Sequence, residues 1–124
     1  MTLIQINPTE HQEQVALFDW RNYAVHRNPK LALLHAIPNG GLRSKATAAR
    51  MKREGALAGI PDICLPVSQN SYHGLYLELK RPIGGRLSDK QSEIIAMLRE
   101  EGYRVDICRG FDAAREAIES YLGV

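Results

Sequence analysis

The stretch from Gly59 to Lys80 constrains the fold more than any other part of the sequence. It starts with a Pro-Asp pair, continues through a polar segment rich in turn-forming residues, and ends in an alternating run, Gly74–Lys80. A strand would direct the alternating residues of that run to opposite faces, with Leu75, Leu77 and Leu79 on one and Tyr76, Glu78 and Lys80 on the other. The stretch therefore predicts two short strands, Ile60–Val67 and Gly74–Lys80, joined by a loop.

The flanking sequence supplies helices and further strands. Thr9 and Gln12 have the spacing of a capping box and precede an amphipathic run, which predicts a helix from Glu10 to about His26. The other predicted elements are a strand at Leu31–Ile37, a basic helix at Arg43–Glu54, a helix capped by Ser88 and ending near Glu101, a strand at Tyr103–Cys108 and a helix at Phe111–Leu122. This order, α-β-α-β-β-α-β-α, predicts an α/β domain with a small mixed sheet flanked by helices.

Length and composition favour an ordinary intracellular domain. The chain has 124 residues, so we expect a single domain over residues 1–124, with residues 1–8 as a short arm. Cys64 and Cys108 lie in apolar runs without nearby histidine, which predicts buried thiols in a reducing, cytoplasmic setting and excludes a zinc pattern. No apolar run reaches the length of about 18 residues that a membrane span needs. Neither a membrane nor an organic cofactor is expected as a partner.

Two carboxylates and a lysine on neighbouring strands suggest metal-dependent chemistry. Asp62 and Glu78 could hold Mg²⁺ or Mn²⁺, helped by the backbone carbonyl of Leu79 and by Glu10 from the first helix. Lys80 would point the same way as Glu78 and could orient a water or hold a phosphate. The alternative is that these residues have no role in chemistry, since an aspartate at a strand end often forms a turn and a Glu-x-Lys pair on a strand is often exposed to solvent. On spacing alone the two interpretations are evenly matched.

Gln91 and the basic residues also allow two interpretations each. Gln91 fits the capping box of Ser88, but its helical position would also turn it toward the sheet. No acid occurs between Arg43 and Arg53, so although the net charge is only +2 the cations are concentrated. They form either a solvated face or, as we favour, a phosphate-binding surface. The predicted DNA-binding residues are Asn39, Arg43, Lys45, Arg50, Lys52, Arg53 and Arg86.

Asp62, fifteen intervening residues and then Glu78-Leu79-Lys80 resemble the signature of PD-(D/E)xK nucleases. The chain more narrowly resembles a stand-alone, phage-like VRR-NUC (virus-type replication-repair nuclease) domain. That resemblance is carried, in order, by Glu10–Gln14, Ile37–Gly41, Lys52–Gly55, Gly59–Asp62, Glu78–Lys80 and Ser88–Gln91. Pro-Asp with Glu-x-Lys is a weak pattern by itself, whereas six such stretches in order cover nearly the whole chain.

The resemblance implies a restriction-endonuclease-like core and a divalent-metal-dependent DNA endonuclease. It implies metal ligation by Asp62, Glu78 and Glu10, catalysis by Lys80, and an accessory role for Gln91. The Glu-x-x-x-Gln spacing with Gln14, together with a predicted place on the inward face of the helix, favours Glu10 over Glu13 as the helix acid, although both are near enough in sequence.

Small relatives of this kind are similar to Holliday-junction resolvases, which implies branched DNA as substrate, a homodimer, a role in DNA repair and a phage or bacterial host cell. Two rival functions stay open: a non-catalytic DNA-binding module on the same fold and an RNA-directed nuclease. Two carboxylates facing a polyanion argue against the first, and nothing in the sequence separates the second.

Overall fold

The computed structural model describes residues 7–38 and 44–124. Within these ranges the helices and strands are α1 Glu10–Ala24, β1 His35–Ala36, α2 Lys45–Arg53, β2 Ile63–Leu65, β3 Leu75–Lys80, α3 Asp89–Glu100, β4 Arg104–Arg109 and α4 Phe111–Leu122. The strands form one sheet in the order β1-β2-β3-β4, antiparallel except for the parallel β3–β4 pair. The predicted α/β class, with a small mixed sheet among helices, is confirmed.

Strand β3 lies inside the sheet, and both of its faces are covered. Its leucines pack into the main core against α1 and α4, together with Leu17, Leu31, Ile63, Cys108, Ala114, Ile118 and Tyr121. Helix α3 covers the opposite face, where Ile94, Ile95 and Val105 are buried. Because side chains alternate along a strand, Glu78 and Lys80 point to the α3 side. They too are buried, with 1% and 6% of their surface exposed.

The predicted strand at Leu31–Ile37 is wrong over most of its length. Residues Pro29–Leu33 form a 3₁₀ helix, and the strand is limited to His35–Ala36. The Asn28 side chain accepts a hydrogen bond from the Lys30 amide, and proline at the first helical position has a preset φ. Leu31 and Leu34 are buried at the three-residue spacing of this helix type. A short apolar run cannot distinguish that arrangement from a buried strand.

Other predicted elements are shorter than expected because their ends curl into turns. Helix α1 ends at Ala24 rather than His26, since the His26 amide bonds the Tyr23 carbonyl in a tighter turn. Strand β2 is reduced from Ile60–Val67 to Ile63–Leu65; the amides of Ile60 and Val67 bond to local carbonyls instead of a neighbouring strand. These turns matter because they leave Asp62 just outside the ladder of β2.

The two predicted capping boxes are present. Thr9 accepts from the Gln12 amide at 3.1 Å, and the Gln12 side chain accepts from the Thr9 amide at 2.9 Å. Ser88 and Gln91 make the same pair of bonds at 3.1 and 2.9 Å. Both helices that border the predicted site, α1 and α3, thus start at residues fixed by their own sequence. In the described part of the chain, every helix falls short of the length and apolarity that crossing a membrane requires.

Candidate active site

Strand register brings Asp62 and Glu78 together. In the antiparallel β2–β3 pair, Ile63 lies opposite Leu77, so Asp62, one residue earlier, lies opposite Glu78. The backbone carbonyl of Asp62 accepts a hydrogen bond from the Ile37 amide at 2.7 Å. Its carboxylate accepts a second hydrogen bond, from the Leu79 amide, at 2.8 Å. These bonds fix the backbone and the side chain of Asp62 at the end of β2. The two carboxylates therefore share one side of the sheet.

Gln91 joins the cluster from the first turn of α3. Its amide nitrogen donates to Glu78 Oε1 at 3.0 Å, and its Oε1 accepts from Lys80 Nζ at 3.3 Å. The same Oε1 accepts from the Ser88 amide as part of the capping box. Lys80 Nζ also lies 3.6 Å from Glu78 Oε1. Both interpretations of Gln91 therefore hold, because one side chain caps the helix and contacts the predicted catalytic residues.

Glu78 is electrostatically unusual. Its pKa is raised from 4.5 to about 8, chiefly by burial and next by the negative charge of Asp62 and a hydrogen bond to Asp62, while Lys80 lowers it. Its second oxygen, Oε2, is buried and accepts no hydrogen bond from a donor in residues 7–38 or 44–124. A buried carboxylate oxygen without a donor is costly when it is ionised. The position would be stabilised by a proton or by a cation.

The backbone conformation and the surroundings of residue 59, three positions before Asp62, require a glycine. Its φ is +85°, and a Cβ atom there would lie 2.8 Å from the Lys90 carbonyl oxygen. A side chain at residue 59 would therefore clash with the backbone of the first turn of α3. The absence of one allows the segment that carries Asp62 to pack against the turn that carries Gln91.

The two candidate glutamates of α1 occupy different environments. The predicted inward position of Glu10 is wrong, because Glu10 is exposed and Glu13 is the buried acid of the first turn. A Cβ atom placed on Gly85 would nevertheless lie 4.0 Å from Glu10 Oε1 and 3.7 Å from Lys80 Cδ. Glu13 is only 9% exposed, and its carboxylate accepts a hydrogen bond from the Phe111 amide. Phe111 is the first residue of α4, whose N-cap, Gly110, has no side chain to supply a cap. Glu13 thus caps α4 from another helix, and Glu10 stays the candidate for the site.

Substitutions at these two positions should separate stability from activity. We expect Glu13→Ala to lower the free energy of unfolding by about 1–2 kcal/mol, the usual cost of losing a helix cap. Glu13→Gln keeps an acceptor oxygen and should cost less. Glu10→Ala should barely change stability, since it removes only an exposed charge in a first turn. Denaturant unfolding measures all three, and a Glu10→Ala variant as unstable as Glu13→Ala would contradict the assignment.

The remaining predicted residues are distributed as follows. Leu79, whose carbonyl is a predicted ligand, is buried in β3 with its amide bonded to Asp62. Arg86 is exposed on the loop that follows β3. Four predicted DNA-binding cations lie on α2, none of whose residues is buried: Lys45, Arg50, Lys52 and Arg53. Arg50 pairs with Glu54 at 3.0 Å. Asn39 and Arg43 lie outside the described residues.

Sequence reasoning missed Arg109. This residue ends β4 beside Lys80 in the parallel register, and its guanidinium donates to carbonyls of the loop after β3. An arginine at a strand end gives no sequence signal of its own. Its partners follow from the β3–β4 pairing, which residue spacing alone does not specify.

The donor atoms gathered here suit a small, hard cation. Carboxylate oxygens are the ligands that Mg²⁺ and Mn²⁺ prefer, and buried Glu78 Oε2 would gain a partner. Within residues 7–38 and 44–124, however, no three His, Cys, Asp or Glu side chains are grouped closely enough to form a metal site by themselves. A site built on Asp62 and Glu78 would thus be a half-shell, which fits Mg²⁺ because that ion usually keeps several waters.

Comparison with known proteins identifies the family of the chain. The profile of the VRR-NUC domain family matches residues 5–112. A solved structure described as a VRR_NUC domain protein superposes with a TM-score of 0.77 at 28% sequence identity, covering 94% of this chain and 90% of that one. No curated protein sequence matches the chain. Since the family profile spans most of the chain and the neighbour shares its fold, the chain belongs to the VRR-NUC domain family, a nuclease-type fold.

Proposed function

We propose that this VRR-NUC domain is a divalent-metal-dependent DNA endonuclease that acts on branched DNA. The observation that carries the proposal is the cluster of Asp62, Glu78, Lys80 and Gln91, in which a buried oxygen of Glu78 has no donor among the residues that the structure describes. When both carboxyls are ionised, two acids facing a polyanion would repel it unless a cation lay between them. A binding-only module would have no use for such a pair.

The chain's residues divide the work of phosphodiester hydrolysis. Asp62 and Glu78 would hold Mg²⁺ or Mn²⁺, with the Leu79 carbonyl and Glu10 as further ligands, directly or through water. The bound cation would neutralise charge on the phosphate and acidify a water. Lys80 Nζ, which contacts Glu78 and Gln91, would orient the attacking water or donate to a phosphate oxygen. Gln91 keeps both side chains in position.

Substrate binding would use cations outside the cluster. The exposed residues of α2 and Arg86 would contact backbone phosphates, as would the predicted Asn39 and Arg43. The Arg50–Glu54 pair is highly exposed, so breaking it for a phosphate contact costs little. We also propose a homodimer, because two sites related by a two-fold axis would match the symmetry of a four-way junction.

One assay tests this function. Purified protein is incubated in Mg²⁺ with four-way junction, flap, splayed-arm and linear duplex DNA and with RNA, and a parallel series contains excess chelator. We expect the junction to be cut at least about tenfold faster than linear duplex, a preference of about 1.4 kcal/mol in the transition state. Cleavage should vanish with chelator.

Each other outcome points to a rival. Equal cutting of junction and linear duplex would refute selectivity for branched DNA. Cutting of RNA alone would favour an RNA-directed nuclease, and binding without any cutting would favour a non-catalytic module. Sedimentation of the same preparation measures the oligomeric state, and a monomer that resolves junctions would contradict the proposed homodimer.

A further inference from the structure

The Arg109 side chain contacts the loop that follows β3 at three backbone carbonyls. We define residues 81–87 as the glycine loop, after Gly84 and Gly85, whose φ values are +83° and +72°. The Arg109 guanidinium donates to the carbonyls of Arg81 at 3.3 Å, of Gly85 at 3.0 Å, and of Gly84. A planar fork with several fixed N–H groups suits three neighbouring carbonyls, and a lysine ammonium does not reproduce that geometry.

The same loop is held from its other side by the residue that leads into α1. The Asn7 carbonyl accepts from Arg81 Nη2 at 3.3 Å, and Asn7 Oδ1 accepts from the Ile83 amide at 3.2 Å. A loop with two glycines in left-handed conformations has little preference of its own for one shape. Its shape in this fold therefore depends on Asn7 and Arg109.

The glycine loop borders the predicted catalytic residues. Gly85 lies beside both the Lys80 side chain and the Glu10 carboxylate, and exposed Arg86 follows it directly. Arg109 itself is exposed, and its three described partners are neutral carbonyls, so these contacts leave its positive charge uncompensated. At the end of the sheet next to Lys80, the exposed cations Arg86 and Arg109 thus lie on or beside the glycine loop, whose backbone at Gly85 borders the predicted site.

We infer that Arg109 is a positioning residue for substrate binding: it fixes the glycine loop as a wall of the active site and holds Arg86 where it can contact a substrate phosphate. This inference rests on the proposed nuclease function for its consequence in catalysis. Its structural part, the dependence of the loop on Arg109, does not. The two parts can therefore be tested separately on the same variants.

Limited digestion with trypsin tests the loop directly. Arg81 precedes Pro82 and resists trypsin, so cleavage between Arg86 and Leu87 reports on opening of the glycine loop. We expect Arg109→Gln and Arg109→Lys each to accelerate that cleavage about tenfold, because local opening sets the rate of such proteolysis. Asn7→Ala, which leaves the charge unchanged, should also accelerate it. Arg27→Gln, beyond the far end of α1, is the charge-matched control and should not.

Kinetics on the preferred DNA substrate test the consequence. We expect Arg109→Lys, like Arg109→Gln, to raise KM severalfold, since the lysine keeps the charge but loses the fork. If Arg109→Lys matches wild type in both proteolysis and KM, Arg109 supplies only charge and the inference is overturned. If trypsin cleaves after Arg86 faster in both variants but no DNA is cut even by wild type, the proposed function and the role in substrate binding fail, while the dependence of the loop on Arg109 stands.

Discussion

Asp62→Asn should reduce DNA cleavage in Mg²⁺ to a small residual rate while leaving the fold intact. In the wild-type protein the Asp62 carboxylate accepts a hydrogen bond from the Leu79 amide at 2.8 Å. Asparagine keeps an oxygen that can accept this bond, but it removes the negative charge that would hold the cation. We expect kcat to fall about a thousandfold, which corresponds to about 4 kcal/mol of transition-state stabilisation. Single-turnover cleavage in saturating Mg²⁺ measures the loss.

Asp62→Ala should be equally inactive but less stable, because it leaves the partly buried Leu79 amide without its acceptor. Junction binding measured in Ca²⁺ should remain close to wild type in both variants, since phosphate contacts would come from cations elsewhere. Asp19→Asn, an exposed acid in the middle of α1, is the control for a change of one charge. Cleavage at the wild-type rate in Asp62→Asn would eliminate Asp62 as a metal ligand.

Glu78→Gln should change how stability depends on pH. The folded-state pKa of Glu78, about 8, lies above its ordinary value of 4.5, so the folded protein keeps a proton that the unfolded chain loses. The resulting stabilisation is complete below about pH 4.5 and is lost as the pH rises through about 8. Metal-free wild type should therefore lose stability over this interval, and Glu78→Gln, whose amide resembles the protonated acid, should lose markedly less.

Divalent cations should reverse that loss at high pH. A cation that binds only the folded state raises stability by mass action, and at pH 8 it would take the place of the proton on Glu78. We expect Mg²⁺ or Mn²⁺ to raise the Tm of wild type but not of Glu78→Gln. Glu100→Gln, an exposed acid at the end of α3, should behave like wild type. Equal pH profiles for wild type and Glu78→Gln would contradict the raised pKa.

The sequence predicts this fold best where a pattern is local. The capping boxes, the alternation in β3 and the bounds of α4 all depend on residues within a few positions of one another, and each is present in the structure. The predicted strand Leu31–Ile37 fails over Leu31–Leu33, because the 3₁₀ helix there is stabilised by Asn28 and by burial against leucines that are distant in sequence. Apolar character alone does not carry that information.

The candidate site was predictable to the extent that it follows strand alternation and spacing. Asp62, Glu78, Lys80 and Gln91 do come together, as the sequence suggested. The different roles of Glu10 and Glu13 could not be predicted from the sequence, because the role of Glu13 depends on where α4 begins relative to α1. Arg109 was missed for the same reason, since a parallel strand pair is formed by segments far apart in the chain.

The double use of Gln91 couples helix stability to the active site. Its side-chain oxygen accepts hydrogen bonds from both the Ser88 amide and Lys80, and its side-chain nitrogen donates to Glu78. Fraying of the first turn of α3 would therefore remove a contact from Lys80 and from Glu78 at once. The geometry of the site therefore depends on the first turn of α3, because opening that turn would remove the Gln91 contacts to Glu78 and Lys80. Partial loss of activity by a slightly frayed helix should then appear as fewer competent molecules, each with its full rate, rather than as a uniformly slower enzyme.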